Sequence, residues 1–294
     1  CIRDRDMIRQ RCEMEYIFII IIVMAVIIAI GVFLYLQNNI IDITKYNLKY
    51  DKADEPIRIV QLSDLHSKPF KKVLKKIDEI KPDIICITGD YINDREKNKK
   101  KMLKYAKALV ARAKVYYITG NHERRLENFD ELMDELSKVG FIVLLNRVSV
   151  YNDKGFEIDF LGLDENQANF DDYKARKKGT FEYKDMSPYF KQLDELGGYK
   201  IVLSHYPENF EGVKEMNYSQ YDFDLQLSGH AHGGQFCLPF IGPVYSPGQG
   251  LKPKYAKGSF GNRPKLIVSR GLGNAEFPFR LFNHPEINVI NISK

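Results

Sequence analysis

Ile57-Arg58-Ile59-Val60-Gln61-Leu62-Ser63-Asp64-Leu65-His66 decides the fold of this chain: a short apolar run, then a polar loop carrying an aspartate and a histidine. The figure returns four times. Ile84 to Thr88 runs into Gly89-Asp90, Val115 to Ile118 into Gly120-Asn121-His122-Glu123, Ile201 to Ser204 into His205, and Leu225 to Ser228 into Gly229-His230-Ala231-His232-Gly233-Gly234. Such runs alternate with segments of helical period at Phe70 to Ile80, Lys97 to Ala111 and Asn128 to Lys138. That rhythm predicts parallel strands buried on both faces, joined by helices. Gly140 stops the third helix before Phe141 to Leu145.

The second half is richer in strands. Val148 to Tyr151 and Glu157 to Leu163 flank the turn-forming Asn152-Asp153-Lys154-Gly155, Ser187 to Leu196 reads as a helix, and Leu266 to Ser269 and Ile287 to Ile292 close the pattern. No internal repeat and no low-complexity linker divides it. The expected architecture is α/β: a single domain over residues 57–294, a four-layer αββα sandwich of two mixed sheets flanked by helices.

Upstream, residues 1–16 form a flank, 17–36 an apolar segment and 37–56 a polar linker. Ile17 to Leu36 is free of charge, and twenty residues at about 1.5 Å each span roughly 30 Å, the hydrocarbon core of a bilayer. A cleaved signal sequence usually has a shorter apolar region and a small-x-small exit, which Phe33-Leu34-Tyr35-Leu36 does not offer. The expectation is one uncleaved transmembrane helix. With Arg3, Arg5, Arg9 and Arg11 present, the positive-inside rule places the domain outside the cytoplasm; translation from Met14 would remove those arginines and reverse the bias.

The 294 residues carry a net charge of +5, with 44% apolar and 28% charged residues, which are globular values. Lysines gather at Lys71 to Lys76, Lys97 to Lys101 and Lys174 to Lys178 as solvated faces or loops. They are not interleaved with aromatics as a nucleic-acid groove requires, so no nucleic-acid partner is expected. The four cysteines include no Cys-x-x-Cys, which argues against thiolate zinc and redox motifs.

In open α/β sheets ligands bind outside the carboxyl ends of the strands, where Asp64, Asp90, Asn121, His205 and His230 all fall. Oxygen and imidazole together suit divalent transition metals, and enough ligands are present for two. A pair of cations can share a water, lower its pKa and clamp phosphoryl oxygens during in-line attack, with no Ser or Cys nucleophile.

The order Asp-x-His, Gly-Asp, Gly-Asn-His-Glu, His, Gly-His-x-His resembles the calcineurin-like metallophosphoesterases, over roughly residues 57 to 292. Gly229-His230-Ala231-His232-Gly233-Gly234-Gln235 and Ser269-Arg270-Gly271-Leu272-Gly273-Asn274 resemble a narrower branch. That branch holds membrane-anchored or exported bacterial phosphoesterases related to UDP-2,3-diacylglucosamine pyrophosphatases. The resemblance implies that Asp64, His66 and His232 hold a first metal, that Asn121, His205 and His230 hold a second, and that Asp90 bridges both. Manganese, iron or zinc would fit, and a hydroxide bridging them would attack phosphorus. It also implies a phosphodiester or pyrophosphate substrate on a lipid-linked or envelope molecule, such as a nucleotide-linked glycolipid.

His122 adjoins a ligand without being one, so its expected work is to protonate the departing oxygen or to stabilise phosphoryl charge, against a purely structural hydrogen bond. Glu123 either orients an imidazole or starts a surface helix. Arg270 either grips phosphate or pairs a structural carboxylate. Arg124 and Arg125 are read as solvent-facing, and His284 as structural. Phe236 to Tyr255 is a flap, an apolar surface for lipid chains, or a packed loop. The competing reading is a non-catalytic scaffold of the same fold, which should have lost ligands or the equivalent of His122. A metal-dependent amide hydrolase or lactonase would need another carboxylate-histidine order.

Overall fold

The computed structural model describes residues 2–294 except 54, 69, 97, 154, 166–177, 179–183, 213–215 and 275–276. Of the lysine runs, Lys97 and residues 174–177 lie outside that set, as does Lys154 of the predicted turn. The first half contains α1 (Ile2–Asn39), β1 (Asp42–Lys49), β2 (Ile57–Leu62), α2 (Lys71–Ile80), β3 (Ile84–Thr88), α3 (Lys99–Val110), β4 (Lys114–Ile118), α4 (Asn121–Arg124), α5 (Phe129–Val139) and β5 (Phe141–Val143). The second half contains β6 (Arg147–Asp153), β7 (Phe156–Gly162), α6 (Ser187–Asp194), β8 (Tyr199–Leu203) and β9 (Leu225–Ser228). Four two-residue strands follow: β10 (Cys237–Leu238), β11 (Gly242–Pro243), β12 (Tyr245–Ser246) and β13 (Gly250–Leu251). Then come β14 (Gly258–Phe260), β15 (Lys265–Val268) and β16 (Glu286–Ser293).

Two six-stranded mixed sheets result, in the orders β1-β16-β2-β3-β4-β5 and β14-β15-β9-β8-β7-β6. Side-chain alternation along β2 shows why they stack. Ile57 and Ile59 point into the layer between the sheets, against Ile158, Phe160, Leu203 and Leu227 of the second. Val60 and Leu62 point the other way, beneath Val73 and Ile77 of α2, Met102 and Leu109 of α3, and Leu132 and Leu136 of α5. On the far side, Leu161, Val202 and Val268 are covered by Phe190 and Leu193 of α6. This is the expected αββα sandwich.

The helices end where the sequence says they should. Lys81 caps α2 in the left-handed region (φ 54°) just before Pro82, and Gly140 caps α5 at φ 113°. The Asn98 side chain opens α3 by accepting the Lys101 N–H at 3.1 Å.

One segment departs from its reading. Residues 37–56, expected as a linker, supply the end of α1 and the edge strand β1, which pairs in parallel with β16 from Asp42↔Glu286 to Lys49↔Ser293. Ile41 and Ile43 pack toward the helix-covered core, Tyr46 and Leu48 toward the layer between the sheets. Because β1 divides its apolar residues between both faces, neither face alternates cleanly. Within α1, Glu13–Asn39 is long and apolar enough to cross a membrane.

Candidate metal centre

β2, β3, β4, β8 and β9 are mutually parallel through their sheets and release their chains at the same end. The loops that follow hold unusual backbone: Asp64, His66, Asp90, His230 and His232 all have φ between 46° and 63°. Non-glycine residues seldom adopt that region, and it costs about 1–3 kcal/mol when imposed on them. Here it turns side chains back over the strand ends. Gly89 and Gly120 make room for this, because a Cβ on Gly120 would strike the Asp90 carboxylate and one on Gly89 the His205 ring.

The side chains converge in two overlapping sets. In the first, His66 Nε2 and His232 Nε2 are 3.1 Å apart, Asp64 Oδ1 is 3.5 Å from His232 Nε2, and Asp90 Oδ2 is 3.7 Å from His66 Nε2. In the second, Asn121 Oδ1 lies 3.1 Å from both His205 Nε2 and His230 Nδ1, and Asp90 Oδ2 is 3.5 Å from His205 Nε2. Asp90 therefore stands in both. His205 Nδ1 donates to the Thr88 carbonyl at 2.8 Å, which aims Nε2 inward. Asp64 accepts the His230 N–H at 3.0 Å, tying the β2 loop to the β9 loop.

Electrostatics mark the two sets differently. Burial lowers His66 to about 4 and drives His232 well below its usual value, helped by His66 itself, so this pair is neutral. The two buried Nε2 atoms face each other while the Nδ1 of each ring has no partner; with the ring protons on Nδ1, the opposed Nε2 lone pairs are an arrangement that a cation satisfies. Burial alone would also lower His205, but the Asp90 carboxylate overrides it and carries His205 up to about 10. Asp90 is in turn held well below the usual carboxylate range by His205 and its neighbours, despite burial. In the metal-free protein a proton on His205 thus takes the place that a cation would occupy. Burial raises Asp64 to about 6.

His122 sits at the edge, 22% exposed, with Nε2 3.9 Å from Asp90 Oδ2 and its ring edge-on to His66. Its Nδ1 lies 3.2 Å from Asp94 Oδ1. Glu123 neither orients an imidazole nor lies on the surface. It is fully buried and accepts the N–H groups of Asp90 (3.1 Å), Ile92 (2.9 Å) and Gly120 (3.0 Å), which locks the β3 loop to the start of α4. Arg270 is occupied by Asp42 (3.0 Å) and Glu286 (2.9 Å) at the β1–β16 junction, so the structural ion pair takes the place of the phosphate contact. Arg124, read as solvent-facing, pairs with Asp164 and lies over the Phe129 ring. His284 is structural, 3.2 Å from Asp42.

Three supporting residues had no sequence signal. Glu165 is buried and accepts from Ser204 Oγ (2.8 Å), the His205 N–H (2.9 Å), Asn209 Nδ2 (2.7 Å) and Tyr218 OH (2.9 Å), fixing the His205 loop. Gln61 donates to Thr88 Oγ1 (3.1 Å) and to the Ser228 carbonyl (2.9 Å), linking the sheets just beneath the ligands. Buried Arg280 directs its guanidinium to the carbonyls of Gly271 and Gly273, and Gly273 N–H reaches the Asp64 carbonyl. The Ser269 to Asn274 motif is thereby a wedge against the Asp64 loop.

An αββα sandwich with Asp, Asn and His gathered at the strand ends defines a metallophosphoesterase. Residues 57–234 match the family described as calcineurin-like phosphoesterase, and the chain belongs to it. It is 29% identical over 277 residues to the uncharacterized metallophosphoesterase YkuE of Bacillus subtilis, covering 89% of each chain. It is 24% identical over 272 residues to the phosphodiesterase YaeI of Escherichia coli, covering 89% of this chain and 92% of that one. Among solved structures, TT1561 of Thermus thermophilus shares the fold at a TM-score of 0.50 and 14% identity, over 74% of this chain and 91% of that one. Divalent metal ions are general to the family, and the Asp and His groups described here could hold them.

Proposed function

We propose that the chain hydrolyses phosphodiester or pyrophosphate bonds using two divalent cations (manganese, iron or zinc), one held by Asp64, His66 and His232, the other by Asn121, His205 and His230, with Asp90 shared. The observation that carries this reading is the meeting of seven ligand-type side chains from five loops around Asp90. Bound there, the cations would supply Lewis-acid activation of water and would screen phosphoryl charge.

The chain's own residues do the rest. Thr88 and Glu165 set the His205 ring, Glu123 sets Asp90, and the loop from Gly271 to Gly273 presses on Asp64. Asn121 turns its Oδ1 inward, 3.1 Å from both His205 Nε2 and His230 Nδ1, where it would serve as a ligand oxygen to a cation between the rings. His122, its Nδ1 beside Asp94 and its Nε2 toward the cluster, is positioned to give a proton to the leaving oxygen. The apolar α1 supports an anchored enzyme acting on a lipid-linked or envelope phosphoester, with the domain on the extracytoplasmic side.

The test is hydrolysis of bis-p-nitrophenyl phosphate by the full chain in detergent with added manganese. We expect turnover that chelator abolishes and manganese restores, and none from Asp90→Asn. No turnover with manganese, iron or zinc would favour a scaffold of the same fold.

A further inference from the structure

The chain leaving His232 and Gln235 builds an apolar lobe that the proposed chemistry does not use. β10 pairs with β11 and β12 with β13 as two small antiparallel ribbons, and Phe240 and Ile241 form the tip of the first. The base of the lobe is fixed to the loop Phe277–Phe282. Phe236 bridges to Leu281, the Cys237 N–H donates to the Leu281 carbonyl at 2.9 Å, and Gln235 Nε2 donates to the carbonyls of Phe277 and Phe279. This anchored, hydrogen-bonded lobe leaves its apolar side chains in water: Phe240 is wholly exposed, Leu251 75%, Ile241 61%, Phe277 49% and Phe282 48%. Exposure of clustered large apolar groups marks an interaction surface.

Its position identifies the partner. The Phe282 ring packs on Phe33 of α1, centroids 5.5 Å apart. Phe33 lies inside the charge-free run, three residues before its end at Leu36, or about 5 Å along the helix axis. When α1 crosses a bilayer, Phe282 is held at the level where hydrocarbon gives way to headgroups. Cations stand at the same level: Lys68, Lys71 and Lys72 line a cavity of about 540 Å³ with Asn38 and Asn39 at the foot of the helix. Lysines at that level are drawn to an anionic lipid surface.

We propose that the lobe 236–251 and the loop Phe277–Phe282 dock into the interfacial layer of the bilayer that α1 crosses, holding the His230–His232 loop beside the lipid surface. The proposal rests on the membrane reading of α1 and is independent of the metal chemistry. It supplies a physical reason for a substrate whose phosphoester sits at a lipid surface: the ligand loops run directly into the docked lobe.

The chain has no tryptophan, so single-tryptophan variants report cleanly. Full-length Phe240→Trp, Phe282→Trp, Tyr35→Trp and Tyr50→Trp would be reconstituted into phosphatidylcholine–phosphatidylglycerol vesicles with and without brominated acyl chains. Phe240 is wholly exposed, so its replacement disturbs no packing. We expect tryptophan at 240 and 282 to be quenched by the brominated lipid comparably to tryptophan at 35, and tryptophan at 50 to be unaffected. Quenching at 35 without quenching at 240 and 282 overturns the docking; absence of quenching at 35 overturns the membrane reading and the docking with it. Bis-p-nitrophenyl phosphate hydrolysis, measured on the same variants, reports separately on the metal chemistry.

Discussion

Glu123 shows how much of the site depends on a residue that touches no substrate. Its carboxylate is the acceptor for three buried N–H groups, and each left unpaired costs about 1–3 kcal/mol. Glu123→Ala should therefore destabilise the metal-free protein by about 3 kcal/mol or more in urea unfolding. Burial, and then the Asp90 charge, raise Glu123 from 4.5 to about 7. The folded protein binds this proton more tightly than the unfolded chain does, so the contribution is complete below about pH 4.5 and is lost as pH climbs to about 7. A urea series across that window should show stability falling, with a shallower fall in Glu123→Gln. His122 is a different case, since it lies at the cluster edge and its Nδ1 meets Asp94 at the rim, away from the ligand loops that Glu123 ties together. His122→Gln should keep its metal content, read by elemental analysis, while kcat drops about 10²–10⁴-fold. The aspartates and histidines of this cluster were legible because their types and order carry the chemistry. Glu123, Glu165 and Gln61 were not, because they act by accepting from or donating to segments 27 to 167 residues away, which leaves no mark on local spacing.

Among the elements, β2, β3 and β9 begin and end where their apolar runs do, since each is buried on both faces and bounded by polar loops. β1 escaped notice for the opposite reason: it is an edge strand with partial burial and charged residues between its apolar ones. The consequence is practical. A soluble fragment beginning after Lys49 lacks the parallel partner of all eight residues of β16 and exposes that edge. One beginning at Ile40 keeps β1. The shorter fragment should aggregate and melt at lower temperature than the longer, by scattering and calorimetry. The ribbons β10 to β13 were illegible as strands because two-residue pairings carry no period.

Across the whole molecule, Asp64, His66, Asp90 and Asn121 come from loops of the first sheet, and His205, His230 and His232 from loops of the second. Cations held between them would cross-link the sheets at one end, and ligands that bind only the native state stabilise it by about 2.7 kcal/mol at a hundred times Kd. Manganese should raise the thermal midpoint of the full chain in detergent, and chelator should lower it. The gain should be larger at pH 8 than at pH 6, because Asp64, raised to about 6, must shed its proton to act as a ligand.

The strand order also dictates a timetable of synthesis. β16 is inserted between β1 and β2, although it leaves the ribosome after every other strand of either sheet. Until then the first sheet holds an open slot, flanked on both sides by backbone awaiting a partner, at strand spacings of about 4.8 Å. Nascent chains are exposed to proteases and to one another through that slot, and truncation before Glu286 would leave it permanently unfilled.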